Sequence, residues 1–185
     1  MILNLLDIFD YGKMYIIKNP EIFPSERLLV ESQIFGMSDY IILGNYSPLN
    51  LRHLYNVTKK FKIDIKIKIR RGFTFYQIIE IIKELKNRYD LLIYYFDPIS
   101  YSDLRNDEKY ALISGIVNGL VEYTSENNSI TLFFSSYPFP IISKFPYIIT
   151  EKHSYGYNIK YGEKNYHFYY IPGQLSLFDF NNQNG

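Results

Sequence analysis

The 185-residue chain has no cysteine, no tryptophan and only 3 histidines. Without cysteine there can be no disulfide, no thiolate metal site and no thiol nucleophile. His53, His153 and His167 are far apart and show neither metal-ligand spacing nor a serine elbow, so each reads as a surface or packed residue. An excess of charge is also missing. The formal net charge is +1, so no global field marks a nucleic-acid binder, and any such role falls to a local patch. No apolar run approaches the ~18 residues of a membrane helix. The start, Met1-Ile2-Leu3-Asn4-Leu5-Leu6-Asp7, lacks the basic region of a signal peptide. The expectation is a cytoplasmic protein with no membrane partner.

What is present suits one globular domain. Hydrophobic residues make up 47% of the chain, enough for a proper core, and 20 tyrosines supply large amphipathic side chains in place of tryptophan. Met14 to Ile17, Tyr40 to Leu43, Leu91 to Phe96 and Ile130 to Phe134 are short continuous apolar runs bounded by turn residues, the pattern of buried strands. Helical periodicity lies between them. Pro24-Ser25-Glu26 offers capping chemistry before Leu28, Leu29, Ser32 and Phe35; Leu51, Leu54, Tyr55 and Thr58 mark a second helix, Thr74 begins a third, and Asp107 to Tyr123 forms another. Asp64 to Arg70 alternates strictly, Ile65, Ile67 and Ile69 against Lys66, Lys68 and Arg70, as an edge strand with one wet face does. From Pro146 onward, Tyr147 to Thr150, Tyr157 to Lys160 and Tyr166 to Tyr170, separated by Gly156 and Gly162, read as an antiparallel meander. The expected fold is a three-layer α/β sandwich on a mostly parallel sheet, closed by antiparallel hairpins. Gly115 and Gly119 are expected to let their helix approach the sheet.

Pro172 and Gly173 separate this domain, residues 1–171, from a C-terminal tail, residues 172–185. Leu175, Leu177, Phe178 and Phe180 place four large apolar side chains where a chain normally frays. Gln174, the aliphatic Leu177 and the aromatic Phe180 resemble the clamp-binding peptide, or PIP box, of proteins that dock on the sliding clamp PCNA. That resemblance implies a tight helical turn bringing positions i and i+3 onto one face as an apolar plug, with the glutamine in a polar pocket. Asn181 stands where the full motif has a second aromatic. Gln174 to Phe178 also resembles the pentapeptide of bacterial clamp partners, which leaves the type of clamp open. The alternative reading is a terminal strand or turn folded back on the core.

Ile67-Lys68-Ile69-Arg70-Arg71-Gly72-Phe73-Thr74-Phe75-Tyr76-Gln77 and Asp90-Leu91-Leu92-Ile93-Tyr94-Tyr95-Phe96-Asp97-Pro98 resemble the stretch leading into the Walker B strand of the RecA/RadA recombinases, including the archaeal RadA paralogs. The family's phosphate loop needs glycines whose N–H groups surround phosphate, a lysine for the terminal phosphates and a hydroxyl for Mg²⁺. The corresponding stretch here runs from Lys18 to Ser25. Lys18 and Phe23 replace the glycines, Pro24 replaces the lysine, and only Ser25 matches. Glu21 adds negative charge, and no carboxylate follows Leu43 to activate water. The expectation is a RecA-like domain that binds no ATP, with no cofactor, no metal and no catalytic residue. Asp97 reads as a cap for the turn after its strand rather than a metal ligand.

Lys59, Lys60, Lys62, Lys66, Lys68, Arg70 and Arg71 put seven cations into thirteen residues. They suit a DNA backbone, an acidic partner protein, or an edge strand protected from aggregation by lysine. Together these features imply a non-catalytic accessory protein of DNA replication, recombination or repair that binds a clamp and, through its domain, a recombinase, a paralog or DNA. The alternatives are a clamp-recruited nuclease or hydrolase with an unrecognised site, and an inhibitor of the clamp.

Overall fold

Apolar strands with no polar alternation need cover on both faces, and the computed structural model shows how they obtain it. It describes residues 4–169 apart from Tyr46 and Pro48, with the backbone alone at His53, Val57, Lys60 and Phe61. Eight strands form one sheet: β1 (Lys13–Ile17), β2 (Asp39–Leu43), β3 (Lys66–Arg70), β4 (Leu91–Tyr95), β5 (Ile130–Phe134), β6 (Tyr147–His153), β7 (Gly156–Tyr161) and β8 (Lys164–Tyr169), in the order β3-β2-β4-β5-β1-β6-β7-β8. The first six run parallel, and β6, β7 and β8 pair antiparallel.

Alternate residues of the central strands enter two separate cores. Tyr15, Ile42, Ile93 and Leu132 belong to one, whose cover is α1 (Ser25–Ile34), α2 (Leu51–Phe61) and the 3₁₀ turn Leu5–Ile8. Ile16, Ile41, Tyr94 and Phe133 belong to the other, covered by α3 (Phe75–Lys83), α5 (Asn106–Asn127) and the 3₁₀ turn Pro140–Ile142. The expected three-layer sandwich with terminal hairpins is therefore present.

Local chemistry sets the helix boundaries. The Thr74 side chain accepts from the Gln77 N–H at 3.2 Å while the Gln77 side-chain Oε1 accepts from the Thr74 N–H at 3.3 Å, a reciprocal capping box that starts α3. Asn128 ends α5 in the left-handed conformation, φ 50°. β3 is an edge strand, as its alternation implied, although Ile69 is 40% exposed. The two glycines of α5 correct an expectation. A Cβ on Gly115 would meet Ile79, and one on Gly119 would meet Ile82, each at 3.0 Å, so they permit close approach of α5 to α3 rather than to the sheet.

Candidate functional site

The chain leaves β1 and β2 toward one face of the sheet, through α1 and α2, and leaves β4 and β5 toward the other. β4 lies beside β2, and β5 beside β1, so neighbouring chains diverge at the C-terminal ends of these strands. A crevice opens at such a switch point, which is where open parallel sheets bind ligands. Here it has a volume of about 290 Å³ and is lined by Pro20 and Glu21 after β1, Asn45 after β2, Phe96 to Ile99 after β4, and Ser135 to Tyr137 after β5.

The loop from Lys18 to Ser25 borders this crevice through Pro20 and Glu21. The Asn19 carbonyl accepts from the Ile22 and Phe23 N–H groups at 3.1 and 3.0 Å, folding the loop into a turn. Phe23 is 4% exposed, and its ring packs edge-on against Phe9 and Phe134. Pro24 precedes α1 and lends it no side-chain cap. The Ser25 N–H donates to the Phe23 carbonyl at 2.8 Å, and its buried Oγ accepts from the Tyr95 hydroxyl at 3.4 Å. Lys18 holds its ammonium over the Tyr147 ring, 5.8 Å from the centroid.

Asp97 begins a helix that the sequence reading missed, α4 (Pro98–Ser102). Its Oδ1 accepts from the Ile99 and Ser100 N–H groups at 2.9 and 3.3 Å, and its Oδ2 from Ser100 Oγ at 2.7 Å and Asn45 Nδ2 at 3.2 Å. This is the capping role expected of it. The signal for α4 was Asp97-Pro98, a good N-cap followed by proline at the first helical position. Burial, the largest influence, pushes the Asp97 pKa up. The hydrogen bonds from Ser100, Asn45 and the Ile99 and Ser100 backbone together outweigh it and leave the carboxyl below its ordinary value.

The remaining candidate chemistry stays dispersed. His153 Nδ1 accepts from the Tyr155 N–H at 3.3 Å, and His167 pairs with Asn158 at 2.7 Å across β7 and β8. Glu151 forms an ion pair with Lys160 at 2.7 Å. Among the described residues, no group of three or more histidines, aspartates and glutamates could hold a metal, and no helix is long and apolar enough to cross a membrane. Gln174, Leu175, Leu177, Phe178 and Phe180 lie outside the described residues.

The structure divides the basic run. Lys59 is exposed on α2, over one face, whereas Lys66, Lys68 and Arg70 alternate with Ile65 and Ile67, which pack into the core on that face, and so point to the other. Arg70 is bonded to Glu84 at 3.2 Å. Lys62 closes α2 at φ 55°, and Arg71 is exposed beyond β3.

No protein-family model matches the chain, and no curated protein matches its sequence. Its fold is similar to that of a solved structure described as the crystal structure of the RadB recombinase, with a TM-score of 0.67 at 10% sequence identity over 91% of this chain and 89% of that one. The architecture is the RecA-like α/β fold.

Proposed function

We propose that this chain is a non-catalytic accessory protein of DNA recombination, repair or replication, one that keeps the RecA-like fold as a binding scaffold and acts in the cytoplasm. The observation that carries this reading is the loop after β1, where Phe23 is sunk into the core and Pro24 occupies the start of α1. A phosphate cradle needs free N–H groups and a cation at that point, and Glu21 sits on the crevice instead. The likeness to the RadB recombinase supports the setting, with a recombinase, a paralog or DNA as partner of the domain.

The tail supplies recruitment in this proposal. Gln174, Leu175, Leu177, Phe178 and Phe180 would dock on a sliding clamp of the PCNA type. Surface plasmon resonance of the full chain over immobilised clamp tests this. The Leu177→Ala, Phe180→Ala double variant should lose detectable binding, because each buried side chain contributes about 1.5–3 kcal/mol. Equal binding by the double variant would end the clamp reading, and Phe178→Ala separates the two clamp types.

A further inference from the structure

β8 closes one side of the sheet, and among the described residues no strand pairs with its outer edge. In an antiparallel ladder alternate residues turn their N–H and C=O groups outward, so such an edge is a template for one more strand. The opposite edge, β3, carries Lys66, Lys68 and Arg70, whereas β8 has a single lysine, Lys164, and neither an acidic residue nor a proline. The apolar cover also reaches this edge. Phe168 is 3% exposed, shares its core with Tyr157 and Ile159, and lies under the Arg27 guanidinium of α1, 5.4 Å from the ring centroid.

The chain itself supplies a matching segment. Residue 170 follows β8 directly, and Pro172-Gly173 is a turn dipeptide. A loop centred on that dipeptide reverses the chain and sets Tyr169 opposite Ser176, Phe168 opposite Leu177, His167 opposite Phe178 and Tyr166 opposite Asp179. Cross-strand partners share a face of the sheet. In this register Leu175 and Leu177 would extend the apolar row of Phe168, Ser176 would fall beside the exposed Tyr169, and Asp179 would lie diagonal to Lys164. A slip of one residue would send both leucines to the wet face, so the pattern selects one register.

We infer that the outer edge of β8 is the docking site of this chain's own segment 174–180, which adds to the sheet as an antiparallel strand. The docked strand covers Leu177 and holds the segment extended, whereas the clamp-bound form is a tight helical turn. Docking and clamp binding therefore compete for the same residues, and a clamp meets only the released fraction. That competition rests on the proposed clamp reading; the docked strand does not.

Paired cysteines in the otherwise cysteine-free full chain test the register. Under mild oxidation His167→Cys with Phe178→Cys should close an intramolecular disulfide about tenfold faster than His167→Cys with Leu177→Cys, because the second pair points to opposite faces. A tail without a fixed register would close both at the same rate, and that result overturns the inference. Hydrogen exchange gives a second reading without cysteine. The outward amides of β8 should exchange about tenfold more slowly in the parent protein than in the Leu175→Asp, Leu177→Asp variant, at every protein concentration. Equal exchange overturns the docked strand, and protection that grows with concentration assigns the edge to a second copy of the chain instead. Oxidation of the first cysteine pair should also remove clamp binding, and dithiothreitol should restore it. A clamp that binds neither the parent protein nor the reduced pair would end the proposed function alone, and the disulfide and exchange rates would still decide the strand.

Discussion

The ring of Phe23 meets the ring of Phe134 edge-on, with centroids 5.5 Å apart, and so ties the loop after β1 to the end of β5. The loop is thereby anchored from below by apolar packing instead of being left free to surround a ligand. Phe9 holds the same ring from a second side, at 6.4 Å. Anchoring of this kind makes the loop part of the core, and a substitution there acts on stability before it acts on binding.

ATP should therefore not bind. Calorimetry with ATP and Mg²⁺ is expected to show no heat beyond dilution, in the parent protein and in a Phe23→Gly, Pro24→Lys variant alike, because Glu21 and the missing Pro20 N–H remain. Phe23→Ala alone should lower stability by about 3–5 kcal/mol, the range for deleting a buried ring. Micromolar affinity for ATP in the parent protein would refute the reading.

Asp97 predicts an acid dependence of known sign. Its pKa is lowered in the folded state from the ordinary 3.8, so the ionised carboxylate stabilises the fold at every pH above that value. The contribution is lost as pH falls from about 3.8 through the lowered folded pKa. The difference in melting temperature between the parent protein and Asp97→Asn should be largest near neutrality and shrink on acidification below about pH 4. A constant difference would mean that the carboxylate's charge contributes nothing.

Much of this fold was legible because its central strands are apolar on both faces, a pattern that demands helices above and below the sheet. Tyr40 to Leu43 and Ile130 to Phe134 needed no more than that. The edge position of β3 was equally readable from its alternating lysines. Short elements held by one cap, such as α4, carry too little periodicity to be seen, and Phe35, expected on the apolar side of α1, is 65% exposed just past its end. The crevice was illegible for a different reason. Glu21, Asn45, Asp97 and Tyr137 come from four separate loops, and only the two directions in which the chain leaves the sheet bring them together. Nor could spacing alone tell whether Gly115 and Gly119 faced the sheet or α3.

Gly156 should be intolerant of any side chain. A Cβ there would collide with the Phe168 carbonyl on β8, in the part of the ladder where Gly156 lies opposite Tyr169. Backbone cannot swing aside as a side chain can. Gly156→Ala is expected to cost about 1–3 kcal/mol, read from urea unfolding, with the β7–β8 amides losing hydrogen-exchange protection first. Stability equal to that of the parent protein would show that the hairpin can shift.

The basic strand makes a claim that separates its two explanations. Lys66 and Lys68 are exposed and point to the same face of the sheet, while Arg70, beside them, is bonded to Glu84. If the strip contacts a DNA backbone, changing Lys66 and Lys68 to alanine removes two phosphate contacts. The slope of log affinity against log salt should then fall by about 1.8 units. Arg70→Ala should change that slope less, because its guanidinium is already shared with a carboxylate. The melting temperature should hold in the lysine double variant, since neither side chain is buried, so a lost affinity can be assigned to the contacts themselves. Fluorescence anisotropy with a labelled duplex at several salt concentrations measures the parent protein and both variants. Affinity and slope unchanged in the double variant would leave the lysines their other role, keeping an open sheet edge from pairing with another chain, and that role predicts faster aggregation of the same double variant on mild heating.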